Sequence, residues 1–146
     1  PENRVMALDA ETGEKRWEWN PHVKEASFWN RCRGVAYYEM PQEMKSADGL
    51  CDTRIITTTK DARLWALDAK TGKVCSSFGK NGSTDLSEGM GPYEEHFYMP
   101  TSQPFVVGDR VVVGGFRAAL IPDQQDGAER DGTECERCDC RPRKLR

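Results

Sequence analysis

Ala7-Leu8-Asp9-Ala10-Glu11-Thr12-Gly13 recurs as Ala66-Leu67-Asp68-Ala69-Lys70-Thr71-Gly72, roughly 59 residues further on. Each copy follows a short alternating run, Arg4-Val5-Met6 and Arg63-Leu64-Trp65, and so reads as a strand running into a tight turn. A repeat on that scale predicts stacked supersecondary units, with blades of about four strands as the leading architecture. The fold class expected is therefore all-β, a partial β-propeller. With 146 residues the chain holds about two to three blades, whereas closure takes about four to eight. It is expected to be one arc of a larger ring.

Residues 5–9 read as the first strand, and Ala10-Glu11-Thr12-Gly13 makes the turn. Gly13 supplies a positive φ without a Cβ clash, while Asp9 and Thr12 can hydrogen-bond the turn backbone. Lys15-Arg16-Trp17-Glu18-Trp19 then alternates as an outer strand with both indoles on one face, and Asn20-Pro21 ends it. Residues 34–38 form the next strand and residues 41–52 a polar loop. Residues 53–59 and 62–68 pair as a hairpin about Lys60-Asp61, and residues 73–78 follow as an outer strand. After an irregular excursion over 79–98, residues 105–107 and 111–113 form a second hairpin about Gly108-Asp109-Arg110. The first strand of a blade lines the central channel, so a ligand is expected at the channel ends of the inner strands.

Net charge is −3 and charged residues make up 31%, so nothing here suggests a polyanion-binding protein, and nucleic acid is not expected as a partner. No stretch approaches the roughly 20 apolar residues of a membrane span. The chain opens at Pro1 with no initiator Met and no charged-then-apolar leader, as expected of a fragment whose targeting information lies elsewhere. Of six cysteines, Cys32, Cys51 and Cys75 lie in the β-patterned part. A disulfide among them fits an oxidising compartment, buried free thiols are the alternative, and spacing does not supply the connectivity.

Beyond Gly115 the character changes. Residues 116–146 lack alternation and are rich in Asp, Glu, Arg and Gly, so they are expected to form an unrelated, disordered tail. The tail carries Cys135-x-x-Cys138-x-Cys140 and a basic end, but has no second CxxC, which favours chance composition over a zinc site. The abrupt shift suggests a frameshift or an aberrant gene end near Gly115.

Ala7, Asp9, Thr12 and Gly13 followed by Trp17 resemble the tryptophan-docking motif of the quinoprotein alcohol and sugar dehydrogenases. In that motif the Ala leaves room, the Asp–Thr–Gly turn fixes the corner, and the indole docks against the neighbouring blade. The second copy keeps Ala66, Asp68, Thr71 and Gly72 but has Ser76 where the Trp belongs, so a different lock is expected there, with Phe78 as the candidate. The resemblance narrows with Cys32-Arg33-Gly34-Val35-Ala36-Tyr37-Tyr38-Glu39, Asp61-Ala62-Arg63-Leu64 and Tyr98-Met99-Pro100-Thr101-Ser102-Gln103-Pro104. In this order they look like the membrane-bound pyrroloquinoline quinone (PQQ) dehydrogenases that oxidise glucose, quinate or shikimate. The likeness covers residues 1–115 and implies an eight-bladed propeller facing the periplasm from the inner membrane. It implies PQQ and Ca²⁺ or Mg²⁺ in the channel, a sugar or polyol substrate, and ubiquinone as electron acceptor.

Two residues carry over individually. Arg33 matches the family arginine that reaches PQQ, and a guanidinium suits carboxylates and quinone oxygens that gain charge on reduction. By residue type alone it would be a surface arginine at a strand start; its Cys-Arg-Gly-Val context reverses that reading. Thr101 matches a threonine that hydrogen-bonds the cofactor near its carboxylates, with a turn-stabilising threonine as the alternative. His22 and His96 lack a second ligand at metal spacing and read as loop residues, as does the acidic pair Glu94-Glu95. No vicinal cysteine pair occurs, which favours the glucose/quinate branch over the methanol-oxidising one. The family's base and metal ligands belong to later blades, so no catalytic or metal residue is assigned here, and the fragment alone is expected to be inactive. A noncatalytic propeller scaffold for protein binding is the competing function. It would have no reason to carry the stretches around Arg33 and Thr101.

Overall fold

The computed structural model describes residues 3–23, 33–90, 98–117 and 139–144, and these are built from strands. In chain order they are β1 (Val5–Leu8), β2 (Lys15–Trp19), β3 (Val35–Glu39), β4 (Thr53–Thr59), β5 (Arg63–Asp68), β6 (Ser83–Asp85), β7 (Tyr98–Pro100), β8 (Phe105–Val107), β9 (Arg110–Arg117) and β10 (Asp139–Lys144). A 3₁₀ turn, Gln42–Met44, sits in the polar loop between β3 and β4. The strands form three antiparallel sheets: β1-β2, then β3-β4-β5-β6, then β10-β9-β7 with β8 also on β9. None closes into a barrel, and the chain is an all-β partial propeller.

Local chemistry accounts for the pairing. Thr53-Arg54-Ile55-Ile56-Thr57-Thr58-Thr59 is β-branched at six of its seven positions and pairs with β5 from Arg54↔Asp68 to Thr59↔Arg63. The turn between them takes three residues, because Ala62 adopts φ 61° and donates its N–H to Thr59 O at 3.1 Å. A left-handed last residue is characteristic of a three-residue hairpin, so β5 begins at Arg63 and not at Ala62 as the sequence suggested. Asp61 ties the turn down by accepting from the Thr59 hydroxyl and the Arg63 guanidinium.

Alternation sends Ile56, Leu64 and Ala66 to one face of the second sheet, where they meet Tyr98, Val111 and Val113 of the third sheet in one core. Each large apolar side chain buried there contributes about 1.5–3 kcal/mol. Phe78 is fully buried in the same cluster.

Residues 73–78 do not form the expected outer strand. Val74 makes a single bridge to Leu67, and the chain then turns inward, with Phe78 N–H on Cys75 O at 2.9 Å. Two constraints override the strand propensity there: Phe78 enters the core, and Cys75 is joined to Cys51 by a disulfide. Strand β6 takes the place beside β5, inside the segment read as irregular. The disulfide settles the pairing the sequence left open; Cys32 lies outside the described residues.

The structure also differs from the expectation of a featureless tail at one point. Strand β10 lies along β9, from Asp139↔Gly115 to Lys144↔Arg110, on an edge whose backbone N–H and C=O groups offer a template for pairing. Residues 118–138 lie outside the described residues.

Candidate functional site

Both copies of the repeated turn have the same internal wiring. Asp9 Oδ1 accepts the N–H groups of Glu11 and Thr12, both at 2.9 Å, and Gly13 N–H reaches Asp9 O at 2.9 Å. Asp68 Oδ1 likewise accepts from Lys70 N (3.1 Å), Thr71 N (2.8 Å) and Thr71 Oγ1 (2.8 Å), and Gly72 N–H reaches Asp68 O at 2.8 Å. Their surroundings separate them. Asp9 is half-buried and pairs with Arg16, which together with the turn amides lowers its pKa to about 2. Asp68 is buried, and its Oδ2 accepts from Cys51 N at 2.7 Å. Burial raises the Asp68 carboxyl, but the donors from Cys51, Thr71 and Lys70 outweigh it and the net shift is downward.

The indole of Trp17 lies on the second turn. A Cβ on Gly72 would stand 2.5 Å from Trp17 Cε3 and 2.7 Å from Cδ2, so only glycine lets the ring approach. Its Nε1–H donates to Ala69 O at 3.1 Å. Trp17 belongs to the first sheet and Gly72 to the turn that follows β5 of the second, so the first sheet's tryptophan docks on the neighbouring unit, as the motif implies. Trp19 adds an edge-to-face contact with Trp65, ring centroids 5.2 Å apart. In the second copy Ser76 is exposed and Phe78 buried, and the disulfide beside them joins the turn after β5 to the start of β4.

Arg33 and Gly34 lead into β3, with Arg33 exposed and Gly34 at φ 105°. Thr101 follows β7 and is half-buried; its N–H donates to Gly114 O at 2.9 Å. Ser102 seals the same loop, accepting from Gly114 N at 2.7 Å while its own N–H shares Gly114 O at 3.1 Å. Gly115, next in β9, gives the Tyr98 ring the space a Cβ would fill. The two stretches meet through Gln103, whose Nε2 donates to Val35 O at 2.8 Å. Sequence reasoning assigned Gln103 no role of its own, and no local signal points to a partner 68 positions away.

Elsewhere, His22 is an exposed loop residue at φ 51° whose N–H donates to Asn20 Oδ1 at 2.8 Å. His96, Glu94, Glu95, Cys135 and Cys138 lie outside the described residues. Among the described residues no group of three or more His, Cys, Asp or Glu side chains is placed to hold a metal ion. A cavity of about 310 Å³ lies between Met40, Met44, Leu50, Asp52, Arg54 and Ser77, and neither Arg33 nor Thr101 lines it. The buried guanidinium of Arg54 closes it, donating to Cys51 O at 2.9 Å and to Ser77 Oγ at 3.3 Å.

Antiparallel sheets joined by an indole on a glycine turn define an arc of a β-propeller. Comparison with known proteins narrows the class. Residues 1–133 match the family described as glucose/ethanol/alcohol dehydrogenase, beta-propeller domain, a match that runs past Gly115. A protein of Xanthomonas campestris named "probable quinate dehydrogenase (quinone)" is 38% identical over 133 residues, covering 81% of this chain and 17% of that protein. The quinate/shikimate dehydrogenase (quinone) of Acinetobacter baylyi is 36% identical over 131 residues, 78% of this chain and 16% of its own. The quinoprotein glucose dehydrogenase of Escherichia coli is 34% identical over 116 residues, 77% and 15% respectively. The chain thus belongs to the PQQ-dependent dehydrogenase family of oxidoreductases. It spans about a sixth of the length of these relatives.

Proposed function

We propose that residues 1–115 supply the blades that hold one side of PQQ in a dehydrogenase acting on glucose, quinate or a similar polyol. The observation that carries this reading is the Gln103–Val35 hydrogen bond, which gathers the Arg33 and Thr101 stretches into one place. The donor set suits the group. PQQ is an anionic quinone bearing carboxylates, and Arg33 offers a fixed positive charge that no described carboxylate pairs with. Thr101 adds a hydroxyl on a loop whose backbone is already fixed by Gly114.

Arg33 would bind and orient the cofactor through charge-assisted hydrogen bonds and stabilise charge that grows on its oxygens. Thr101 would donate its hydroxyl beside a carboxylate. When bound, PQQ supplies the two-electron oxidising power for an alcohol. The base that takes the hydroxyl proton, and the ligands of Ca²⁺ or Mg²⁺, lie outside this chain, so the chain binds without turning over. Ubiquinone as acceptor and a periplasm-facing position at the inner membrane complete the reading; the names of the quinate relatives, which include "quinone", support the acceptor.

Titrating the chain with PQQ and following its absorbance tests the assignment. Arg33→Ala should weaken binding about tenfold or more, the worth of a hydrogen bond to a charged group. Arg33→Lys should recover only part of it, since an ammonium lacks the fork. Wild-type affinity in Arg33→Ala sinks the assignment.

A further inference from the structure

Gln103 is fixed at both ends. Its backbone follows Thr101 and Ser102, whose N–H groups share Gly114 O, and precedes Pro104, which is fully buried. Its side chain crosses to β3 and donates from Nε2 to Val35 O at 2.8 Å. The same amide lies beside Gly34, where an added Cβ would stand 3.2 Å from Gln103 Oε1 and 3.4 Å from Cδ. Gly34 meets the left-handed backbone at φ 105°, and a Cβ there would press on the Gln103 amide by a few tenths of an ångström. Among the described strands β3 is paired on one side only, by β4, and at its first residue the Gln103 amide donates to the Val35 carbonyl.

Arg33 stands two residues before that carbonyl, on the far side of the most permissive residue type in the chain. Without a clamp, rotation about Gly34 would swing Arg33 relative to the Thr101 loop. We propose that Gln103 is a positioning residue that latches the Arg33–Gly34 hinge to the Thr101 loop, holding guanidinium and hydroxyl in register for an anionic quinone. The inference rests on the reading that Arg33 and Thr101 hold PQQ. It adds the residue that makes the two act as one site. Gln103 needs no contact with the cofactor; its effect runs through Arg33.

The test uses the full chain in two arms. In the first, without PQQ, amide hydrogen-exchange protection factors are measured for Gly34, Val35 and Ala36. Gln103→Met keeps length but has no donor, and should lower protection about fivefold, the share of one hydrogen bond. Gln103→Glu should do the same near neutral pH, where a carboxylate faces a carbonyl. Protection should return below about pH 4, when the introduced carboxyl is protonated and can donate. That reversal within one molecule separates a latch from general loosening.

In the second arm, PQQ is titrated into wild type, Gln103→Met, Arg33→Ala and the double variant. Gln103→Met should weaken binding about fivefold, and adding it to Arg33→Ala should cost nothing more, because the two act through one contact. Unchanged protection in Gln103→Met, or no recovery of Gln103→Glu in acid, overturns the latch. Additive losses in the double variant overturn its action through Arg33. If Arg33→Ala binds PQQ like wild type, the cofactor assignment fails instead, and the first arm reads the latch independently of that failure.

Discussion

Gly13 and Gly72 occupy the same place in two copies of one turn, at φ 73° and 72°, yet they face different surroundings. A Cβ at Gly13 meets nothing within 4 Å, while at Gly72 it would stand 2.5 Å from Trp17 Cε3 and 2.7 Å from Cδ2. Changing either glycine to alanine costs the left-handed backbone penalty, about 1–2 kcal/mol, offset in part by a stiffer unfolded chain. Only Gly72→Ala also drives a methyl into the indole, and overpacking of that kind costs about 1–3 kcal/mol. The backbone part cancels in the comparison, so Gly72→Ala should be less stable than Gly13→Ala by about 1–3 kcal/mol. At about 3 °C per kcal/mol for a chain of this size, that is a gap of about 3–9 °C in Tm, read by far-ultraviolet circular dichroism. The gap should vanish in a Trp17→Ala background, where there is no ring to strike. Equal melting points for the two alanine variants, or a gap that survives loss of Trp17, would refute the docking argument.

Three further outcomes follow from the same region. The Cys51–Cys75 disulfide closes a loop of 24 residues in sequence separation, so a Cys51→Ser/Cys75→Ser chain should lose about 3 kcal/mol in urea unfolding, with no loss contradicting a structural role. Because Cys51 is 7% and Cys75 1% exposed, dithiothreitol should reduce the bond only as fast as the region opens, measurable by thiol labelling against urea concentration. Asp68 has a carboxyl lowered by its net of donors, so its stabilisation is complete above the ordinary aspartate pKa of about 4 and is lost as pH falls through the lower folded value. Urea midpoints of wild type and Asp68→Asn should therefore differ at neutral pH and converge in acid, and parallel curves would show that the carboxylate is not responsible.

What the sequence made legible was local or repeated. The Asp-x-x-Thr-Gly wiring and the Trp17 dock are carried by residues within each copy and by the interval between copies. Strand β2 came out at the expected residues for the same reason, since alternating Trp17 and Trp19 need only a neighbouring face. Residues 73–78 did not, because a covalent bond from Cys75 and the burial of Phe78 outweighed a short strand preference. Arg33 and Thr101 could be singled out by resemblance, but the residue that joins their segments could not. Gln103 finds its partner through the packing of β3 against β8, a relation between strands that no window of sequence contains.

An experimental structure of the chain soaked with PQQ tests the central claim most directly. The account predicts the quinone between the Arg33 guanidinium and the Thr101 hydroxyl, with Gln103 still on the Val35 carbonyl. Density for PQQ elsewhere, with Arg33 turned away from Thr101 toward the outer rim of the sheets, would contradict it.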